Sequence, residues 1–182
     1  MPQKSQPLYQ RVLGSEWQHL APQIRELHSV TGESVFKGRC HVDRGRSPLS
    51  RLVARWIGLP KAGADQEAIV TLTVRGDGER WVRRIGGQQF SSLQRPGRSE
   101  SDWPIRERFG VVSVHMALVV DDANLRYVIR RWTLLGIPLP LWLGPQGRAT
   151  ESLEDGQFRF EVEIRHLFTG LIVRYQGLLS PQ

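Results

Sequence analysis

The sequence predicts an α+β protein, mainly β, built on one strongly curved antiparallel sheet (a half-barrel or barrel-like) of about eight to nine strands, with N-terminal helices and one short amphipathic helix. Three observations carry that prediction. Strand patterns follow one another after residue 66, each joined to the next by a short turn-rich link. Their apolar residues alternate with polar ones, so each strand has one packed and one wet face. There is no alternation of strands with helices, which argues against a parallel sheet. So many strands with a single apolar face must curl to cover it.

Residues from about 5 to 30 read as helical. Trp17, Leu20, Ile24 and Leu27 recur at spacings of three and four, one face of a helix. Ser15 is placed to cap it, and Pro22 kinks or divides it. His19 and His28, nine residues apart, do not share a face at metal-ligand spacing and are expected at the surface. Residues 34–43, SVFKGRCHVD, form a strand. It carries Phe36, Gly38, Cys40 and Val42 on one face and Lys37, Arg39 and His41 on the other. Cys40 is then a small core residue. It points away from His41, which disfavours a Cys–His nucleophile pair.

The stretch SPLSRLVARWIGLP gives the short amphipathic helix. Ser47 caps it, Pro48 opens it, and Gly58 with Pro60 ends it. Leu49, Leu52, Val53, Trp56 and Ile57 make one apolar face, with Arg51 and Arg55 opposite. The expected use of that face is packing on the sheet; the alternative is contact with an anionic membrane.

In GERWVRRIGG, Trp81 and Ile85 mark the inner face of a strand, so Glu79 and Arg83 on the same face point inward and need partners. IRERFG repeats the pattern with Glu107 and Phe109. An internal Glu–Arg network fixing strand register and a polar ligand-binding cluster both fit these residues. Tyr127 shares a face with Leu125, Ile129 and Arg131, and Tyr175 shares one with Leu171 and Val173. His166 continues the apolar face of Phe158, Phe160, Val162 and Ile164 beside a turn. It reads as a satisfied histidine near a cavity mouth, with a general base as the alternative. His115 alternates onto the outer or less buried face.

Residues 134–145, LLGIPLPLWLGP, carry no charge. Pro138 and Pro140 cannot both join a central ladder, so the segment runs at an edge or across an end. It is expected to close one end of the cavity, with Trp142 near Trp56. A solvent-exposed docking patch is the alternative.

The formal net charge is +7, and residues 37–61 carry seven Lys or Arg against Asp43 alone. Neither a nucleic-acid-binding motif nor interleaved aromatic residues accompany this stretch, so nucleic acid is not the expected partner. The histidines lack metal-ligand spacing, and no nucleotide loop or nucleophile elbow is present, so neither metal nor cofactor is expected. No apolar run reaches the length of a membrane helix, the N-terminus lacks a signal-peptide pattern, and a cytoplasmic location follows as the expectation. At 182 residues, a single domain is expected, with a β-rich body from about 34 to 180.

The order and spacing of FKGRCHVDRG, SPLSRLVARWIGLP, GERWVRRIGGQQFSS, IRERFG, LLGIPLPLWLGP, EDGQFRFEVEI and GLIVRYQGLL resemble the bacterial domain of unknown function 4166 family, from about residue 8 to the C-terminus. The chain departs from that pattern at Ile85 and in a longer insertion around 95–103. Family members occur alone or fused behind oxidoreductase-like or membrane segments. The resemblance therefore implies an architecture and an association with other modules, and it assigns no catalytic residue.

The expected function is non-enzymatic binding of a lipid-like or other hydrophobic small molecule in an apolar cavity. The candidate ligand-binding residues are Glu79, Trp81, Arg83, Glu107, Tyr127, Trp142, His166 and Tyr175. The alternatives are a docking module for an oxidoreductase, a membrane-associated partner or a second copy of the chain, and an enzyme using Glu79, Glu107 or His166 as acid or base.

Overall fold

The structure, a computed structural model, describes residues 6–97 and 104–182. Most of the 95–103 insertion lies outside the described residues, as does Trp103 at the start of one expected strand. The strands are β1 (Glu33–Arg44), β2 (Gly63–Arg75), β3 (Gly78–Ile85), β4 (Gln88–Pro96), β5 (Ile105–Phe109), β6 (Val112–Asp121), β7 (Asn124–Leu134), β8 (Ile137–Leu139), β9 (Gln146–Glu154), β10 (Gln157–His166) and β11 (Gly170–Pro181). Their order, β6-β5-β4-β3-β2-β1-β11-β10-β9-β7-β8, closes on itself because β6 also pairs with β7. Ten strands therefore make a closed antiparallel barrel, and β8 is added to β7 outside the ring.

The strand count exceeds the expectation for two local reasons. Asp155 and Gly156, both at positive φ, form a tight hairpin that divides one apparent stretch into β9 and β10. The proline-bearing Ile137–Leu139 still pairs with Trp132–Leu134, as an edge position allows. Closure brings β1 and β11 into close approach along their ladder. Gly38 and Gly177 provide it: a Cβ on either would overlap the backbone of the facing strand, at Leu178 and Arg39 respectively.

The N-terminal residues close one end of the barrel. They comprise α1 (Leu8–Leu13), a 3₁₀ turn (Gly14–His19) and α2 (Pro22–Leu27). Ala21 N–H donates to Ala123 O at 2.9 Å, and Gln23 Nε2 donates to Gly156 O at 3.0 Å, so two barrel turns hold the plug. Pro22 starts α2, and Ser15 caps nothing, since it lies inside the 3₁₀ turn. Trp17, Leu20, Ile24 and Leu27 are all buried, as their spacing predicts. His28 corrects the surface expectation: it follows Ile24 by one helical turn, shares its inward direction and is fully buried.

The amphipathic helix is α3 (Pro48–Ile57), capped by Ser47, whose side chain accepts from Ser50 N–H, and ended by Gly58 at φ 77. Its packing follows the expectation only in part, since Val53 and Ile57 are partly buried against the core while the other three apolar residues are not. Ser50 and Ala54 face the barrel, while Leu49, Leu52 and Trp56 are 48%, 64% and 70% exposed. The cause is how the helix is tied down. Gly45 N–H donates to Ile172 O and Ser47 Oγ donates to Thr169 O, both at the start of β11. This close anchorage sets the small Ser50 and Ala54 directly beneath the helix, with Val53 and Ile57 packing beside them.

Irregular pairing corrects two further faces. The β6–β7 register slips between His115 and Met116, so Trp132 rather than Arg131 follows Ile129 into the core. His115 keeps the expected face, opposite the cavity-lining Val112, Val114 and Met116, but it is buried there. A second slip at the end of β10 brings Ile172 inward, and Leu171 does not share the inner face with Tyr175.

Candidate functional site

The barrel holds a cavity of about 430 Å³. Its walls are mostly apolar, with Val70, Ile85, Phe90, Val114, Met116, Ile129, Phe160 and Val162 contributed by strands on all sides. Leu27 of α2 closes the bottom. At the opposite end the lining reaches Trp56, Gly110 and Val111, which are exposed, so the cavity opens to solvent there.

A few polar groups break the apolar wall. Arg83 Nη2 donates to Glu107 Oε1 at 3.3 Å, Arg83 Nη1 donates to Ser92 Oγ at 2.9 Å, and Ser92 Oγ donates to Glu107 Oε1 at 2.6 Å. The guanidinium lies over two rings, 4.8 Å from the Trp81 centroid and 5.8 Å from that of Phe90. Burial is the largest influence and opposes its charge, but the facing Glu107 carboxylate together with Tyr175 and Tyr9 more than offsets it and raises Arg83 above its ordinary value. Tyr175 completes this wall, with its hydroxyl pushed up to about 12 by burial.

A second cluster sits toward the plugged end. Glu151 takes Tyr127 OH at 2.9 Å and His28 Nε2 at 2.6 Å. The Tyr9 hydroxyl lies 3.0 Å from that of Tyr127 and donates to Gln94 Oε1 at 2.7 Å. Tyr9 stacks on the His28 ring at 3.6 Å between centroids. Burial, reinforced by Glu151, pushes both tyrosine hydroxyls well above their ordinary range, so they remain neutral donors. This cluster fastens α1 and α2 to the barrel and presents Gln94, Tyr127 and Glu151 to the cavity.

Glu79 is inward and buried as expected, but it has no salt-bridge partner among the described residues. Its Oε2 accepts from Trp81 Nε1 at 3.2 Å, and its Oε1 has no partner. It lies outside the cavity lining, against the plug. Burial pushes its carboxyl up, so the folded chain holds that proton more tightly than the unfolded chain does. Its charge then weakens the fold as pH rises above the ordinary glutamate range. Glu79→Gln is expected to be more stable than the parent at pH 7. The advantage should shrink as pH falls toward the ordinary glutamate range and be gone by about pH 4. Urea midpoints at the two pH values check this; an equal difference at both would rule out the charge as the cause.

The cavity thus gathers Trp81, Arg83, Glu107, Tyr127 and Tyr175 from the sequence candidates. Trp142 and His166 fall outside its lining. Trp142 is 57% exposed on a short 3₁₀ turn (Leu141–Leu143). Instead of closing the cavity, the 134–145 segment lies along the outside of β7. Trp132 Nε1 donates to Pro140 O at 2.9 Å, and Leu135 and Ile137 stay exposed. Only Pro145 touches the cavity. His166 is engaged on both ring nitrogens, with Leu143 O at 3.0 Å and Phe168 N–H at 3.3 Å. It ties the 3₁₀ turn to the β10–β11 turn. Cys40 is buried as expected, and burial pushes its thiol up to about 11.

Gln94, Glu151, His28 and Tyr9 were not legible as site residues. The signals were present for two of them. His28 stands one turn after Ile24, and Glu151 alternates with Ala149 once the Asp155–Gly156 turn is recognised. No group of three or more His, Cys, Asp or Glu side chains suited to a metal exists among the described residues. A family model described as Domain of unknown function (DUF4166) matches residues 20–179. No curated protein matches the chain.

Proposed function

The chain belongs to the Domain of unknown function (DUF4166) family, and from that premise we propose that its barrel is a binding module for a hydrophobic or lipid-like small molecule. The observation that carries this reading is the apolar cavity, open at one end and floored by a few polar groups. Its volume of about 430 Å³ falls in the range of small-molecule sites. An apolar chain gains by leaving water for such a wall, while the floor fixes its polar end.

The polar groups favour holding over reacting. Glu107 is already taken by Arg83 and Ser92, and Glu151 by His28 and Tyr127. Both acids retain further acceptor capacity, since a carboxylate can take about four hydrogen bonds. A neutral polar head that donates a hydrogen bond, such as an alcohol, suits that floor better than an anion.

Native mass spectrometry of freshly purified protein, followed by titration with a fluorescent long-chain alcohol, tests the proposal. A co-purifying apolar molecule or saturable one-to-one binding is expected. Val162 lines the cavity at mid-wall. Val162→Trp fills the space while keeping a residue that strands favour, and should weaken binding about tenfold or more. No saturable binding by the parent, or equal binding by Val162→Trp, would overturn the reading.

A further inference from the structure

The connections at the two ends of the barrel differ in kind. One end is covered by α1, α2 and the 3₁₀ turn before α2. The other gathers the α3 connection and the turns that follow β3, β5, β7 and β10, and it is the end at which the cavity opens. Of the twelve large apolar side chains left exposed among the described residues, all but Val74 and Leu153 lie in or beside these open-end connections. Three form a ridge along α3: Leu49, Leu52 and Trp56. Others stand on separate turns, with Leu135, Trp142 and Phe168 at 72%, 57% and 65% exposure. So much apolar surface in one region marks an interaction site.

The charge beside this surface identifies the occupant. No Asp or Glu occurs between Asp43 and Asp65. Within that span Arg46, Arg51, Arg55 and Lys61 are exposed, and none makes an ion pair among the described residues. On α3 the two arginines flank the ridge on one side, while on the other Ile57 leads into the cavity. The helix does not hang loose. Ser47 is tied to Thr169, and Arg44 Nη1 donates to Leu59 O and Pro60 O at 2.9 and 2.7 Å. The ridge is therefore presented in a fixed direction. An apolar ridge with tryptophan, bordered by unpaired cations, is the pattern of a helix lying in the headgroup region of an anionic bilayer.

We propose that the open end of the barrel seats on an anionic membrane surface, with α3 in the interface and the cavity mouth facing the lipid. The seat rests on the same cavity as the proposed function and adds the source from which its ligand enters.

Flotation of the full chain with vesicles tests the inference. Binding is expected to vesicles of phosphatidylcholine with phosphatidylglycerol, to fall with added salt, and to be much weaker with phosphatidylcholine alone. Arg51→Gln with Arg55→Gln should weaken binding about thirtyfold. Leu52→Ser with Trp56→Ser should weaken it about tenfold or more. All four residues are exposed, so thermal melting should stay near that of the parent, and this control separates lost binding from lost fold. The cavity-filling Val162→Trp should still float, so the seat and the cavity can fail separately. Failure of the parent to bind anionic vesicles would overturn the proposal, as would binding indifferent to the α3 substitutions. A parent dimer that Trp56→Ser dissociates would also overturn it, because a second copy would then occupy the ridge.

Discussion

Arg83→Ala is expected to cost about 3–5 kcal/mol of stability, measured as a shift in the urea unfolding midpoint. Both partners of the Arg83–Glu107 pair are largely shielded from water, at 13% and 10% side-chain exposure. Removing the guanidinium leaves Glu107 facing apolar walls with only Ser92 to answer it, and it also uncovers the Trp81 and Phe90 rings. The double change Arg83→Ala with Glu107→Gln should return a large part of the loss, since it removes the stranded charge but not the lost packing. Arg83→Met should fall between, because its side chain still covers the rings. If Arg83→Ala unfolds like the parent, water reaches this pair in solution and the cavity is wetter than its lining implies.

Trp81→Ala should cost about 3–5 kcal/mol as well. The ring is 6% exposed and joins the two polar clusters: Arg83 lies over it, and the Tyr9 and His28 rings stand 6.4 and 5.6 Å away. Truncation leaves a void against the plug and removes the hydrogen bond to Glu79. Trp81→Phe separates these contributions. It keeps part of the packing and loses the N–H donor with one edge of the indole, for about 1–3 kcal/mol. Two variants of equal cost would show that the hydrogen bond dominates. Trp81 and Arg83 touch, so their combined substitution should be less than additive.

The parts of this architecture that could be read in advance were those with strict local periodicity. Phe36, Cys40 and Val42, and Glu79, Trp81 and Ile85, alternate without interruption and are buried as their spacing demands. Barrel closure was less legible, because it depends on β1 meeting β11 from far apart in the sequence, and the two glycines at their close approach carry little signal until they are paired. Arg131 and Leu171 depart from the expected faces because register slips on β7 and β11 shift the alternation by one residue.

Helix α3 shows a different limit. Its amphipathic pattern holds, but its orientation holds only in part: Val53 and Ile57 pack on the core while Leu49, Leu52 and Trp56 face outward. Periodicity places Leu49, Leu52 and Trp56 on one side. Which side meets the barrel is decided by the backbone ties at Gly45 and Ser47 and by the small residues Ser50 and Ala54. The polar site divides along similar lines. Arg83 and Glu107 could be marked as inward from their own strands, whereas the Tyr9–His28–Glu151 cluster draws on three distant segments that only the assembled plug brings together.

The pairing of the first strand with the last governs when the chain can fold. β1 lies between β2 and β11, so one of its edges waits for residues 170–181, which are synthesised after the other ten strands. Until then β1 and β10 both present unpaired backbone, the kind of edge that recruits other chains. Contacts spanning nearly the whole sequence also close slowly, because the entropy of a long loop is lost before its contacts form. The period between synthesis of β10 and docking of β11 is therefore the interval in which this protein is most exposed to misassembly. The finished barrel ends that exposure by leaving the β1 and β10 edges paired.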